Sequence, residues 1–185
     1  MTRTFASATT LEDALDALGS GARPVAGGTD LVVGARQGKS PLPEAIVSGQ
    51  EPVERDCQQA RVDTLGGIVE VDGGLRLGAL VTHDEIVADR VIRERFTALA
   101  DASAIVGSHA TRAQGTIGGN VMNASPAMDT GGPLLCFGAS ANLRSASGER
   151  ALPLEQLWIG PGATAADPRE LLVRVDVPAP APATG

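Results

Sequence analysis

Two glycine pairs are the residues of this sequence whose types and spacing best fit a chemical role. Gly27 and Gly28 lie in the segment PVAGGTDL, and Gly118 and Gly119 lie in GTIGGNVMNASPAMD. Glycine lets the backbone approach a ligand closely and reach positive φ without a steric penalty. Where successive N–H groups then converge, they form a concavity that binds anions such as phosphate. Either pair alone is equally consistent with a tight turn that binds nothing, but together they predict two loops on opposite sides of one phosphate-bearing ligand.

Composition limits the other classes of function. The net charge of -7, from 22 acidic and 15 basic residues, disfavours a general nucleic-acid surface and a polybasic membrane patch. Cys57 and Cys136 lie too far apart for a four-cysteine iron–sulfur site. His83 and His109 are isolated and do not make a metal centre. The sequence shows neither a signal-peptide core nor a membrane-spanning segment, so we expect a cytoplasmic protein.

The first glycine pair is expected to lie between a strand and a helix. Thr9 and Glu12 have the spacing of a capping box, which predicts a helix that ends near Gly19. A short strand is predicted at 24–26, and Thr29-Asp30 is a favourable start for the next helix. This order directs free N–H groups at one point.

The second half of the sequence predicts a larger sheet with helices. Residues 50–65 are polar and irregular and indicate a boundary. Thr82 and Glu85 form another capping box, which opens an amphipathic helical region that breaks near Asp89. Pro133 to Ala139 reads as a buried helical segment. The predicted strands are 45–48, 68–71, 75–79, 142–145, 151–154 and 170–177.

Several segments together resemble one known family. PVAGGTDL, DGGLRLGALVTHDEI, GSHATRAQGTIGGNVMNASPAMD and GPGATAADPRELLVRVDVP are similar to the FAD-binding subunit or domain of molybdenum hydroxylases, the xanthine dehydrogenase and carbon monoxide dehydrogenase type. The resemblance runs over most of 11–178 in the family's order. The doublet of AGGTD and TIGGN, with Asp129 nine residues after Asn120, is more specific than either part alone.

The resemblance implies an α+β fold with two FAD-binding subdomains, known as PCMH-type. The first, at 1–55, would be a small sheet with helices. The second, at 56–178, would be a larger, mainly antiparallel sheet with helices, and 179–185 would be a flexible tail. FAD would lie between the two subdomains. The family's further C-terminal subdomain, which helps to cover the flavin, has no counterpart before Gly185.

The resemblance also implies which residues contact FAD. Two segments would hold the pyrophosphate, chiefly through their backbone, and a loop after the second would add side-chain contacts. Ile105, Val106 and Ile117 would wall the flavin ring. The implied cofactor-binding residues are Pro24, Val25, Ala26, Gly27, Gly28, Thr29, Asp30, Leu31, Val106, Thr116, Ile117, Gly118, Gly119, Asn120, Ser125 and Asp129. No residue is expected to be catalytic or to bind a metal.

The implied function is that of an oxidoreductase subunit that transfers electrons. An iron–sulfur subunit would deliver electrons to the FAD, a molybdenum-cofactor subunit would oxidise the substrate, and the chain would belong to a hetero-oligomer. Two alternatives stay open. One is a stand-alone FAD-dependent oxidase or reductase, and the other is a non-catalytic flavin-binding scaffold.

Overall fold

A three-stranded sheet and a five-stranded sheet, with helices and a small two-stranded sheet, make up the fold. The computed structural model describes residues 4–39, 41–49 and 62–181. Within these ranges helices and strands are mixed along the chain, and the two sheets are separate in hydrogen bonding. This confirms the predicted α+β class with a small sheet and a larger antiparallel one. No helix in the described ranges has the length and apolar character to cross a membrane.

The small sheet is parallel and has the strand order β1-β3-β2. One helix, α1, packs on it through Ala14 and Leu18, which cluster with Ala8 and Val47. The elements of this part of the chain are β1 (Thr4–Ser7), α1 (Leu11–Gly19), β2 (Arg23–Val25), α2 (Leu31–Arg36) and β3 (Ala45–Ser48).

The cap of α1 differs by one residue from the sequence prediction. Thr10, not Thr9, is the N-cap, and its hydroxyl accepts the N–H of Asp13 at 3.1 Å. The Asp13 carboxylate accepts the N–H of Thr10 at 3.0 Å in return. The pair of Thr9 and Glu12 was the wrong assignment because an aspartate at the third helical position closes the same reciprocal bonds as a glutamate.

The large sheet is antiparallel throughout and has the order β4-β5-β10-β6-β7. Two hairpins, β4–β5 and β6–β7, are joined by β10, which pairs with an inner strand of each. After a 3₁₀ turn at Asp63–Leu65 come β4 (Ile68–Val71), β5 (Gly74–Gly78), α3 (His83–Ala88), α4 (Arg90–Arg95), α5 (Thr97–Ala104), α6 (His109–Gln114), α7 (Ile117–Asn123), α8 (Gly131–Cys136), β6 (Ser140–Ser145), β7 (Gly148–Pro153), α9 (Leu154–Leu157), β8 (Trp158–Gly160), β9 (Ala163–Thr164) and β10 (Leu171–Val177).

One core lies between the inner face of this sheet and the helices. The capping box of Thr82 and Glu85 is present, with Thr82 N–H donating to the Glu85 carboxylate at 2.7 Å. Asp89 ends α3 and caps α4, as the predicted break requires. Fully buried side chains from both layers meet in this core: Leu77, Ile86, Ile92, Phe96, Leu99, Ile117, Leu134, Leu143, Leu154, Leu157 and Val175.

The second glycine pair lies in a helix, and the prediction of a loop at this position is wrong. Gly118 and Gly119 form the first turn of α7, and Thr116 caps it by accepting the N–H of Gly119 at 3.0 Å. The threonine cap outweighs the low helix propensity of two glycines because α7 is held by tertiary contacts. Ile117 and Val121 bury the apolar face of α7 in the large core.

The predicted domain division stays a prediction. The boundary between residues 55 and 56 lies outside the described residues, and so does the end of the predicted tail at 182–185. The small sheet uses residues from Thr4 to Ser48, and the large sheet uses residues from Ile68 to Val177.

Gly118 allows α7 to lie against the end of β5. Its N–H donates to the carbonyl oxygen of Ala79 at 2.9 Å. A methyl group on Gly118 would lie 2.5 Å from that oxygen and 2.7 Å from the Ala79 Cβ. These distances are shorter than van der Waals contact, so any larger residue must push α7 away from the sheet.

We expect Gly118→Ala to lower the free energy of unfolding by about 1–3 kcal/mol, the usual cost of forcing an added carbon into a packed site. Gly19→Ala in α1 is the matched control, because its φ is in the ordinary range and, apart from its chain neighbours and its own helix, no atom lies within 4 Å of a methyl group there. Alanine is the better helix former, so the control should keep or slightly raise stability. Urea unfolding followed by circular dichroism measures both, and equal midpoints for the two variants would contradict the prediction.

Candidate functional site

A groove of about 860 Å³ runs between the two parts of the fold. Its walls come from the first glycine segment at 24–31, the exposed side of α7, the loop before α8 and the strap at 164–170. The volume lies at the upper end of the range for small-molecule and cofactor sites, about 300–1,000 Å³. The groove is therefore large enough for an extended organic ligand.

The two glycine segments lie side by side and touch, instead of facing each other across a ligand. A methyl group on Gly119 would lie 3.8 Å from the Ala26 Cβ. A methyl group on Gly27 would overlap the carbonyl oxygen of Gln114. The Asn123 amide also donates to the Asp30 carboxylate at 3.3 Å. The prediction of opposite loops is corrected accordingly: both segments form one continuous wall.

The first glycine segment lines the groove and has backbone donors without a partner among the described residues. Residues 27–31 all line it. Among the described residues, none accepts a hydrogen bond from the N–H groups of Gly27, Gly28, Thr29, Asp30 or Leu31. Consecutive unpaired N–H groups are the arrangement that binds an anion without a charged side chain.

The second glycine segment does not present its N–H groups in this way. Ile117 donates to Val81 at 2.8 Å, Gly118 to Ala79 at 2.9 Å and Asn120 to the Thr116 carbonyl at 2.9 Å. The N–H of Gly119 is donated to the Thr116 hydroxyl. All four donors are thus used inside the protein, because the segment is helical. Its contribution to a ligand must come from side chains and from the close approach that Gly119 permits.

Most of the sequence-predicted contact residues line the groove. Ile117 and Gly118 are buried and lie outside its lining, and so does Ile105, which is 67% exposed elsewhere on the surface. Of the three side chains predicted to wall a flavin ring, only Val106 lines the groove. The predicted residues that the structure brings together there are Pro24, Val25, Ala26, Gly27, Gly28, Thr29, Asp30, Leu31, Val106, Thr116, Gly119, Asn120, Ser125 and Asp129.

The loop from Ser125 to Thr130 closes one end of the groove. The Ser125 hydroxyl accepts the N–H of Ala127 at 3.3 Å, which forms a turn. The turn leaves the exposed Asp129 on the lining. Thr130 is fully buried and donates its hydroxyl to the Asn120 Oδ1 at 2.6 Å.

His83 lies buried beneath this wall. Its side chain is 1% exposed, and its Nδ1 has no hydrogen-bond partner in the part of the chain that the structure describes. A methyl group on Gly115 would lie 3.5 Å from both the His83 Cδ2 and the Thr29 hydroxyl, so both side chains lie next to Gly115. Burial lowers the pKa of His83, the nearby carboxylates of Asp84 and Asp129 oppose that shift, and Arg112 adds to it. The imidazole is therefore neutral at pH 7.

Sequence reasoning missed part of the lining. Residues 164–170 lie on the groove, although the sequence had assigned no role to ATAADPRE. His83 was recognised only as part of a helix start. The family resemblance could have indicated both, because residues 164–170 and His83 lie in two of the segments that carry it. No group of three potential metal ligands occurs within 4–39, 41–49 and 62–181.

The comparisons with known proteins agree with this geometry. Residues 2–180 match the family model described as the FAD binding domain in molybdopterin dehydrogenase. The carbon monoxide dehydrogenase medium chain of Afipia carboxidovorans is 28% identical over 166 residues, which are 90% of this chain and 54% of that relative. The xanthine dehydrogenase FAD-binding subunit of Escherichia coli O157:H7 is 26% identical over 174 residues, 92% of this chain and 56% of the relative.

A solved structure has the same fold. Quinoline 2-oxidoreductase from Pseudomonas putida 86 superposes with a TM-score of 0.86 at 25% identity, over 98% of this chain and 60% of the matching one. The chain thus spans little more than half the length of the relatives that it matches.

We expect the buried His83 to make stability fall as the pH is lowered below about 6.5, the ordinary histidine pKa. The unfolded chain takes up a proton there and the folded chain does not, so the slope reaches at most about 1.4 kcal/mol per pH unit. Stability continues to fall until the pH reaches the lowered pKa of His83 in the folded state. Urea titrations at pH 5.5 to 7.5 (about one unit either side of that pKa) measure it.

His83→Gln should remove this slope, since glutamine does not titrate. His109→Gln is the control, because His109 is exposed and pairs with Asp84 at 3.2 Å on the surface. The same slope in His83→Gln as in the unmodified protein would contradict the assignment.

Proposed function

The chain belongs to the family of FAD-binding domains of molybdopterin dehydrogenases, and from that premise we propose that it is the flavin-carrying electron-transfer module of a molybdenum hydroxylase-like oxidoreductase. The observation that carries the proposal is the run of N–H groups at 27–31, which have no acceptor among the described residues and belong to a segment that lines a groove of cofactor size. FAD is the cofactor that its family binds.

The residues of the groove fit the cofactor. The pyrophosphate of FAD carries negative charge, and the N–H groups of 27–31 are neutral donors on one wall. The close contact of Gly27 with Gln114 leaves no space for a side chain, so the backbone itself forms this surface. Asn120 and Asp129 offer an amide and a carboxylate for the polar groups of the ligand.

The carboxylate of Asp30 has a partner on α7. It accepts a hydrogen bond from Asn123 at 3.3 Å, and both residues line the groove. In the proposal Asp30 contributes its N–H to the pyrophosphate, while this bond occupies its carboxylate. Val106 supplies an aliphatic surface for the flat ring. The role of the chain is to bind and orient, since the cofactor itself accepts and releases the electrons.

We further propose an iron–sulfur subunit and a molybdenum-cofactor subunit as partners in a hetero-oligomer. Support comes from the relatives, which are named as a medium chain and as a FAD-binding subunit of dehydrogenases. In this arrangement the iron–sulfur partner would deliver electrons to the bound FAD, and an acceptor would take them up.

The proposal predicts that the purified protein binds FAD and that Gly27→Ala weakens this binding by about tenfold or more, or about 1.4 kcal/mol. An added methyl group displaces the first glycine segment from Gln114 and thus moves its N–H groups. Isothermal titration calorimetry with FAD measures the dissociation constant. Gly132→Ala, outside the groove, is the matched control and should bind as the unmodified protein does.

A protein that binds no FAD, with natively folded circular dichroism, would contradict the proposed function and favour a scaffold. The electron-transfer role predicts that the chain purifies from its native host together with molybdenum- and iron–sulfur-containing subunits. Reduction of bound FAD by NADH without any partner would favour the stand-alone oxidoreductase instead.

A further inference from the structure

Thr130 is a helix cap whose hydroxyl does not serve its own helix. It is the N-cap of α8, yet its side chain makes no capping hydrogen bond, and it is fully buried. A threonine at this position ordinarily accepts an N–H from the second or third helical residue. The third residue here is Pro133, which has no N–H to donate, and Thr130 has helical dihedral angles (φ -75°, ψ -14°) instead of the extended ones of a capping residue, so its hydroxyl does not cap Gly132 either. The hydroxyl is thus released for another partner.

That partner is the side chain of Asn120 on α7. The Thr130 hydroxyl donates to the Asn120 Oδ1 at 2.6 Å, a short bond between a fully buried threonine and a half-buried asparagine. An asparagine amide has one acceptor oxygen and one NH₂ with two donors. With the oxygen engaged, the orientation of the amide plane is set.

The donor side of this amide remains for the groove. Asn120 lines the groove, and no acceptor among the described residues receives a hydrogen bond from its Nδ2. A half-buried NH₂ group without a protein partner is costly unless water or a ligand accepts from it. The groove is the place where that acceptor can lie.

We infer that Thr130 is a positioning residue for the cofactor, which holds the Asn120 amide so that Nδ2 donates to an acceptor oxygen of FAD. The inference rests on the proposed function. Thr130 directly follows Asp129, so the same bond ties the Asp129 segment to α7. Two groups of the groove wall, one donor and one carboxylate, are thereby held at a set distance from each other.

The experiment is a double-mutant cycle on FAD affinity, measured by calorimetry on the full chain. Thr130→Val removes the hydroxyl and should weaken FAD binding about three- to tenfold, the worth of one hydrogen bond. Asn120→Ala should weaken it by at least as much. Because Thr130 acts through Asn120, adding Thr130→Val to Asn120→Ala should change the affinity by less than about twofold.

Thr130→Ser keeps the hydroxyl and is the control that should bind within about twofold of the unmodified protein. Asn120→Asp tests the direction of the amide. The Thr130 hydroxyl would donate to one carboxylate oxygen, and the second carboxylate oxygen, a charged acceptor, would take the place of the donor Nδ2. We expect it to bind FAD more weakly than Asn120→Ala does. Equal losses from Thr130→Val in both backgrounds, or an Asn120→Asp variant that binds normally, would overturn the inference.

A second readout needs no cofactor. In ¹⁵N-labelled protein without FAD, the heteronuclear NOE of the Asn120 side-chain NH₂ should fall in Thr130→Val and stay unchanged in Thr130→Ser. A value unaffected by Thr130→Val would overturn the inference even if FAD binds. Failure of the unmodified protein to bind FAD, with the NOE responding as expected, would instead overturn the proposed function and the cofactor role of Thr130 while keeping the contact itself.

Discussion

The contact between Gly27 and the carbonyl of Gln114 is the constraint on which the groove depends. It joins the loop that leaves the small sheet to the last residue of α6, next to the short segment between α6 and α7. That segment is itself held in place, since the Gly115 carbonyl accepts the His83 N–H at 3.1 Å and Ile117 donates to Val81. The first glycine segment therefore rests on backbone that the large core has already positioned. Neutral donors can then be oriented without a flexible charged side chain.

The negative net charge of the protein opposes the binding of an anion in this groove. A chain with net charge -7 repels a diphosphate at long range. Local dipoles overcome this repulsion only where they are fixed and unpaired, because a donor that must first be released from an internal bond contributes little. The two glycine segments consequently divide the work. The first has N–H groups without an acceptor among the described residues, and the second uses its own N–H groups to hold α7 against the sheet.

Sequence patterns predicted the local elements well and the long-range arrangement poorly. The strands at 45–48 and 68–71 have the predicted bounds, because turn residues and apolar patterns mark them. Strand β1 was missed, since all four of its residues are exposed and show no alternation. The glycine pair at 118–119 was assigned to a loop because its helix is stabilised by a cap and by packing on Ala79, which local propensity does not report. The use of Thr130 by Asn120 is likewise a tertiary contact.

Strand β10 occupies the centre of the large sheet, although it is the last strand of the described chain. During synthesis, the hairpins β4–β5 and β6–β7 are both complete before the residues that join them leave the ribosome. Until then each hairpin has an inner edge with unpaired N–H and C=O groups, which is the kind of edge that associates with other chains. Closing the sheet requires pairing across about 100 residues, and such non-local pairing is slow. The nascent protein thus passes through a stage open to aggregation, and a chaperone that shields β5 and β6 would raise its yield.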